Sequence, residues 1–219
     1  MKKINNVWAI VDGNASTDEL RHVAAVIGKE VHLIKLVNEG SFLDVIPSVF
    51  KMMETEIPDV IITASTKNGR LLAGLLSAKL DTLVLSEPME LDVTEEGVCV
   101  KRIVYGGAAI REESIPGTAV ICVGSGLLSN ELADGIVKET ELSGGAGTVK
   151  FIEKRSKERK DVNLSAAKRI VCAGRGIPSE EVLSSLKELA LLINAEVGCT
   201  RPVSEENKWL PSERYIGIS

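Results

Sequence analysis

Aromatic residues are scarce, at 3% of 219 residues, so the core has to be built from aliphatic side chains. That suits a sheet covered by helices, whose buried strands read as runs of valine, isoleucine and leucine. No apolar run approaches the roughly 20 residues a membrane-spanning helix needs, which argues against membrane insertion. The N-terminal stretch "MKKINNVWAIVDGN" has only a short apolar segment before Asp12 and reads as a first strand, not as a secretory signal. Cationic excess is missing too. With 26 Lys and Arg against 31 Asp and Glu the net charge is −5, which argues against a general nucleic-acid binder with its basic face. The four cysteines, Cys99, Cys122, Cys172 and Cys199, form no C-x-x-C, so neither a zinc site nor a disulfide framework is indicated. They are expected to be buried and reduced in a cytoplasmic protein. His22 and His32 stand alone, and no Ser/His/Asp constellation or other catalytic motif emerges.

What is present is an alternation of apolar runs and helix-period segments, which places the chain in the α/β class. "VWAIV" (7–11), "EVHLIKLV" (30–37), "PDVIITAS" (58–65), "TLVLS" (82–86), "GTAVICV" (117–123) and "GTVKFIEK" (147–154) read as strands. Between them, "STDELRHVAAVIGK" opens with Ser16 and Glu19 at capping-box spacing and sets Leu20, Val23, Ala24 and Ile27 on one face. "SFLDVIPSVFKMMETE" is helical with an interruption near Pro47, and "NGRLLAGLLSAKL" is a helix. The stretch "MELDVTEEGVCVKRIVYGGAAIREES" has no helical period. It predicts an antiparallel ribbon added to the mostly parallel sheet, with a turn at Glu95-Glu96-Gly97.

"RSKERKDVN" (155–163) is the clearest composition break, seven of its nine residues being charged or amide-bearing. It reads as a solvated linker between a first domain at 1–155 and a second unit at 164–219. The second unit restarts as β-α-β: "AAKRIVCAG", "PSEEVLSSLKELALLINA", "EVGCT".

The strongest local signal is "RIVCAGRGIPSEE", a strand running into Gly174-Arg175-Gly176 and then a helix. Such a turn lets the backbone approach a phosphate, although a plain glycine turn between strand and helix gives the same pattern. Ser179 replaces the third glycine of the dinucleotide fingerprint, and the next strand ends in Thr200-Arg201 where that fingerprint has an acid, which argues against a nicotinamide-nucleotide site. Arg175 and Arg201 both leave strand ends on the same edge of the sheet, where such folds bind ligands, and two cations suit a ligand that is negative or becomes so on reduction. "TKNGR" (66–70) and "VGSG" (123–126) are further strand-end turns, readable as anion nests or as ordinary caps. The pairs Glu95-Glu96 and Glu112-Glu113 read as solvated turn residues.

"IVCAGRGI", a helix and then "AEVGCTRPVSEENKWLPSERYIG" resemble the opening of the flavin domain of the electron-transfer flavoprotein α subunit. "TKNGRLLAGLLSAKLDTLVLSE" and "VKRIVYGGAAIREES" resemble two stretches of that family's N-terminal domain, and "RPV…ENKW…ERYIGIS" is similar to the branch associated with carnitine metabolism and nitrogen fixation. The resemblance covers nearly the whole chain in order. It implies an electron carrier rather than an enzyme, pairing with a β subunit through its N-terminal domain. Its FAD would pass electrons from flavin dehydrogenases to a quinone oxidoreductase or another acceptor. It also implies that Gly174, Arg175 and Gly176 form the first loop of the FAD domain, that Thr200 stands where the family has a serine, and that Arg201 lies over the isoalloxazine. A guanidinium there stabilises the reduced flavin by Coulomb attraction. Gly217 and Ser219 fall on the flavin-loop glycine and hydroxyl, while Tyr215 and Ile218 depart from the mitochondrial-type pattern.

In the family this loop leads on to a "GISG…QH" and an "NKD" segment, neither of which is in these 219 residues. The 56 residues that follow the linker are enough for one β-α-β unit but too few for a doubly wound domain. The expectation is therefore a truncated FAD-binding unit that holds FAD weakly or not at all unless another chain completes it. The rival expectation is a non-redox interaction protein that keeps only the subunit-pairing domain, and a third is an adenine-nucleotide binder using the loops near Asn68 and Gly126. An uncovered pairing face would also permit a homodimer.

Overall fold

"VWAIV" becomes the centre of the first of two compact units, Met1–Ile152 and Glu153–Ser219, in the computed structural model. The structure describes residues 2–13, 17–37, 40–95, 97–127, 136–145, 152–153, 155 and 164–217. The expected linker lies outside these apart from Arg155, as do Ser16 of the expected capping box and most of the strand expected at 147–154.

In the first unit six strands form one wholly parallel sheet in the order β4-β8-β3-β1-β2-β9. They are β1 (Ile4–Val11), β2 (Gly28–Val37), β3 (Val60–Ala64), β4 (Val84–Ser86), β8 (Ala119–Val123) and β9 (Ile136–Ser143). Helices α1 (Thr17–Ile27), α2 (Ile46–Thr55) and α3 (Lys67–Leu80) supply the crossovers that parallel pairing requires.

Side-chain alternation divides the core into two layers. Val7, Ala9 and Val11 pack with Leu20, Val23 and Ile27 of α1, whereas Trp8 and Ile10 pack with α2 and α3 through Val49, Met53, Leu72 and Leu76. The interruption expected near Pro47 is a change of helix type. A 3-10 turn at Phe42–Val45, closed by a reciprocal Ser41–Asp44 capping box, runs into α2 with Pro47 in its first turn.

The expected ribbon is present but is not added to the parallel sheet. β5 (Glu90–Val93), β6 (Val98–Val104) and β7 (Ala109–Ile115) form a separate three-stranded antiparallel sheet. Its apolar face, Leu91, Val93, Val98, Val100 and Ile115, packs into the same layer as α1. The β4-to-β8 crossover thus covers the main sheet with a small sheet where a helix would normally lie. At the β5–β6 turn Gly97 adopts a φ of 133°, and a Cβ there would stand 2.1 Å from the carbonyl oxygen of Ile115.

β9, "IVKETELS", is not legible as a strand, because every second or third residue is charged. It pairs with β2 at the sheet edge, where such charges hold other strands off. His32 stands opposite Lys138, and its Nε2 lies 2.8 Å from the hydroxyl of Thr140, two residues further along β9, while its ring meets Trp8 edge-on. Burial pushes the His32 imidazole below its ordinary value. Lys138 adds to the shift and Glu56 opposes it.

The second unit contains β10 (Ile170–Ala173), α4 (Glu180–Leu192) and β11 (Glu196–Cys199), with β10 and β11 parallel. Its core gathers Ala173, Leu183, Ala190, Val197, Cys199, Val203 and Leu210. All four cysteines are free, but burial holds only for Cys122 and Cys199. Cys99 is half-buried, and Cys172 is exposed because Val171 and Ala173 take the α4 side of β10, which turns Cys172 to the other face.

Two outcomes test this packing. His32 is held neutral in the fold while the unfolded chain takes up a proton below about pH 6.5. Its contribution is therefore present above that pH and is lost as pH falls toward the depressed folded value. Urea unfolding midpoints should fall on acidification below about pH 6.5 in the wild type, and His32→Gln should flatten that decline. A parallel decline in the variant would contradict the assignment. Gly97→Ala should destabilise by about 1–3 kcal/mol in the same assay, from positive φ and the clash with Ile115 combined. A neutral result would show the turn free to move.

Candidate functional site at the strand ends of the second unit

β10 and β11 are in register from Ile170 opposite Glu196 to Ala173 opposite Cys199, so both strands end at the same level. Gly174, Arg175 and Gly176 follow β10 as a turn closed by the Ile177 N–H on the Gly174 carbonyl at 3.2 Å. A Cβ on Gly174 or Gly176 would meet nothing within 4 Å, so the turn faces open space. The first turn of α4 carries Glu180 and Glu181 behind its cap residue, Ser179. A hydrogen bond with Ser179 holds the Glu181 carboxyl below its usual range.

Thr200 follows β11, and its N–H donates to the Ala173 carbonyl at 2.9 Å. Arg201 then opens a single π-helical turn, Pro202–Glu206, which buries Val203 in the core. The chain returns along β11: Tyr215 bridges Cys199 in parallel, and the Ile216 N–H donates to the Cys199 carbonyl at 2.8 Å. Gly198 permits this return, because a Cβ there would lie 2.1 Å from Cδ1 of Ile216. Gly217 ends the segment at a φ of 77°, which only glycine adopts without strain.

Five of the seven expected site residues thus come together at one edge: Gly174, Arg175 and Gly176 after β10, Thr200 and Arg201 after β11. Gly217 follows on the returning segment, and Ser219 lies outside the described residues. The arginine side chains are 79% and 76% exposed.

Both are already paired. Arg201 Nε donates to Glu205 Oε2 at 2.5 Å, and Arg175 Nη2 stands 3.7 Å from Glu206 Oε1. The Arg201 guanidinium, joined by hydrogen bonding from Tyr215, holds the Glu205 carboxyl below its usual range, and Glu205 in turn raises Arg201. These counter-ions escaped the sequence reading, although the i,i+4 spacing of Arg201 and Glu205 was a usable signal. Beside them an open hollow of about 630 Å³ is lined by Ser204, Glu205, Lys208, Trp209, Leu210, Pro211, Ser212 and Tyr215.

Exposed guanidinium groups, a hydroxyl and an open glycine turn form a donor set that suits the ring end of a flavin. The diphosphate end fits less well: Glu180 and Glu181 occupy the first turn of α4, where a phosphate would seek the free N–H groups. Among the described residues no group of three His, Cys, Asp or Glu could hold a metal ion, and no helix is long and apolar enough to cross a membrane.

Comparisons with known proteins agree over both units. Residues 2–156 match the family model of the electron transfer flavoprotein domain, and residues 163–219 match that of the electron transfer flavoprotein FAD-binding domain. A protein of Escherichia coli K12 named putative electron transfer flavoprotein subunit YdiR is 29% identical over 251 residues, spanning 100% of this chain and 79% of that protein. Protein FixB of Salmonella typhimurium LT2 is 29% identical over 248 residues, with the same shares covered. Protein FixB of Escherichia coli O1:K1 is 33% identical over 165 residues, covering 73% of this chain and 53% of that protein. The chain belongs to the electron transfer flavoprotein family, on its α-subunit side, a family of electron carriers.

Proposed function

We propose that this chain is the α-type subunit of a two-chain electron carrier that binds FAD at the strand ends of its second unit and pairs with a β subunit through its first. The observation that carries the reading is the meeting of Arg175, Thr200 and Arg201 at one edge, within a unit that matches the FAD-binding domain of the family. FAD, when bound, supplies the electron-accepting and electron-donating chemistry. Arg201 places positive charge where negative charge develops on reduction, and Arg175 does the same from the neighbouring strand end. The Thr200 hydroxyl offers a hydrogen bond beside them, Gly174, Gly176 and Gly217 let the backbone come close to the ligand, and Ser219 would contribute the hydroxyl of the flavin loop. Electrons would arrive from flavin dehydrogenases and leave to a quinone oxidoreductase or another acceptor.

The first unit offers a surface for the β subunit. The tip of the β6–β7 ribbon exposes Ile103, Tyr105 and Ile110, an apolar group on a polar surface. Without the partner, the same face would support a homodimer.

By this reading the isolated chain holds FAD weakly. Glu205 and Glu206 occupy the two arginines, and Glu180 and Glu181 oppose a diphosphate at α4. Titration of FAD fluorescence should give weak binding to the chain alone and tight, stoichiometric binding with a co-expressed β subunit. Arg201→Ala should abolish binding in the complex. Glu205→Gln should strengthen it by up to about fivefold, the worth of one exposed ion pair. No flavin with or without the partner would contradict the reading and leave a non-redox pairing protein. A Glu205→Gln effect of opposite sign would contradict the counter-ion role.

A further inference from the structure

Helices α2 and α3 cover one face of the six-stranded sheet, and the seam between them stays open on its outer side. α2 turns Val49 and Met53 to the sheet, and α3 turns Leu72, Ala73 and Leu76. That leaves Pro47, Phe50, Lys51 and Glu54 along one flank of a groove of about 570 Å³, with Leu75 and Lys79, one turn apart, along the other. Leu43, from the 3-10 turn that leads into α2, borders the groove and is 49% exposed. The volume falls within the range of small-molecule sites, roughly 300–1,000 Å³.

The groove is polarised along its length. Leu43 and Pro47 line its first part and Phe50 its middle, and no charged residue lines that stretch. It covers about 12 Å of helix rise. Beyond it come Lys51 and Glu54 and, across the seam, Lys79, whose ammonium stands 5.8 Å from the centre of the Phe50 ring. The attraction of the ring face for a cation keeps that ammonium over the groove. Two ammonium groups thus accompany one carboxylate, and no carboxylate among the described residues pairs with either of them.

An apolar trough with one excess positive charge at its end selects a ligand with an aliphatic tail and a single negative charge at its head. Inorganic phosphate has no tail for the trough and carries more charge than one spare cation offsets. A cationic amphiphile would meet two ammonium groups, and a neutral one would leave both unused. We propose that the groove between α2 and α3 binds a medium-chain aliphatic monocarboxylate. The tail lies over Leu43, Pro47, Phe50 and Leu75, and the carboxylate accepts from Lys51 and Lys79. The site uses no residue of the flavin edge or of the β6–β7 tip, so this proposal and the electron-carrier reading stand or fall separately.

Isothermal titration of the full chain with butanoate, hexanoate and octanoate tests this. Octanoate should bind saturably, one per chain, and each methylene added along the series should tighten binding by about two- to fourfold. Octylamine, with the same tail and the opposite charge, should bind more weakly than octanoate by about fivefold or more. In the double variant Lys51→Gln, Lys79→Gln that preference should vanish. Leu43→Asp, which charges the apolar end at an exposed position, should lose octanoate altogether. The proposal is overturned if octanoate gives no saturable heat at millimolar concentration, if octylamine matches it, or if both variants bind it as the wild type does. It is equally overturned if sedimentation shows a dimer that Leu43→Asp splits, since a second copy then covers the groove.

Discussion

The first unit depends on β1 being paired along both edges and covered on both faces. Every side chain from Val7 to Val11 is buried, β2 pairs along all of that stretch, and β3 pairs with Val7 to Ile10. Such a strand cannot be reached by hairpins, since parallel neighbours need crossovers. The helices on both faces follow from this, as does the ribbon of β5 to β7 that takes a helix's place over β3 and β8. A polar change within β1 would therefore disturb both layers at once.

The same logic operates in the second unit with less material. Two parallel strands and one helix align the ends of β10 and β11, and the residues leaving those ends are cationic. Arg175 and Arg201 are held outward, where a ligand could reach them, but each is met by a carboxylate from the turn Pro202–Glu206. Positive charge at this edge is consequently conditional: it acts on a ligand only to the extent that Glu205 and Glu206 give way. Exposed pairs of this kind are weak, so a ligand with real affinity can displace them.

Much of this was legible in the sequence. Buried parallel strands announce themselves as apolar runs, so β1, β2, β3, β4 and β8 were readable to within a few residues, as were α1, α3 and α4. The strand ends bearing Arg175 and Arg201 followed from the same pattern, because a strand's end fixes what leaves it. Edge strands give no such signal. β9 carries Lys138, Glu139 and Glu141 because one of its sides is free, and no apolar run marks it. Nor does a single apolar run say which face of a strand is covered, which is why Cys172 was expected inside and lies outside. The separation of the ribbon from the main sheet depends on long-range packing of Leu91, Val98 and Ile115 against α1's layer, and local pattern cannot show that.

On the proposed function, the second unit is a flavin edge completed in a two-chain carrier. The most direct measurement is the visible absorbance spectrum of this chain co-purified with its β subunit, before and after exposure to a reduced flavin dehydrogenase. The account predicts flavin bands that survive gel filtration and bleach when the dehydrogenase delivers electrons. A colourless complex, or flavin bands that the reduced dehydrogenase leaves unchanged, would contradict it.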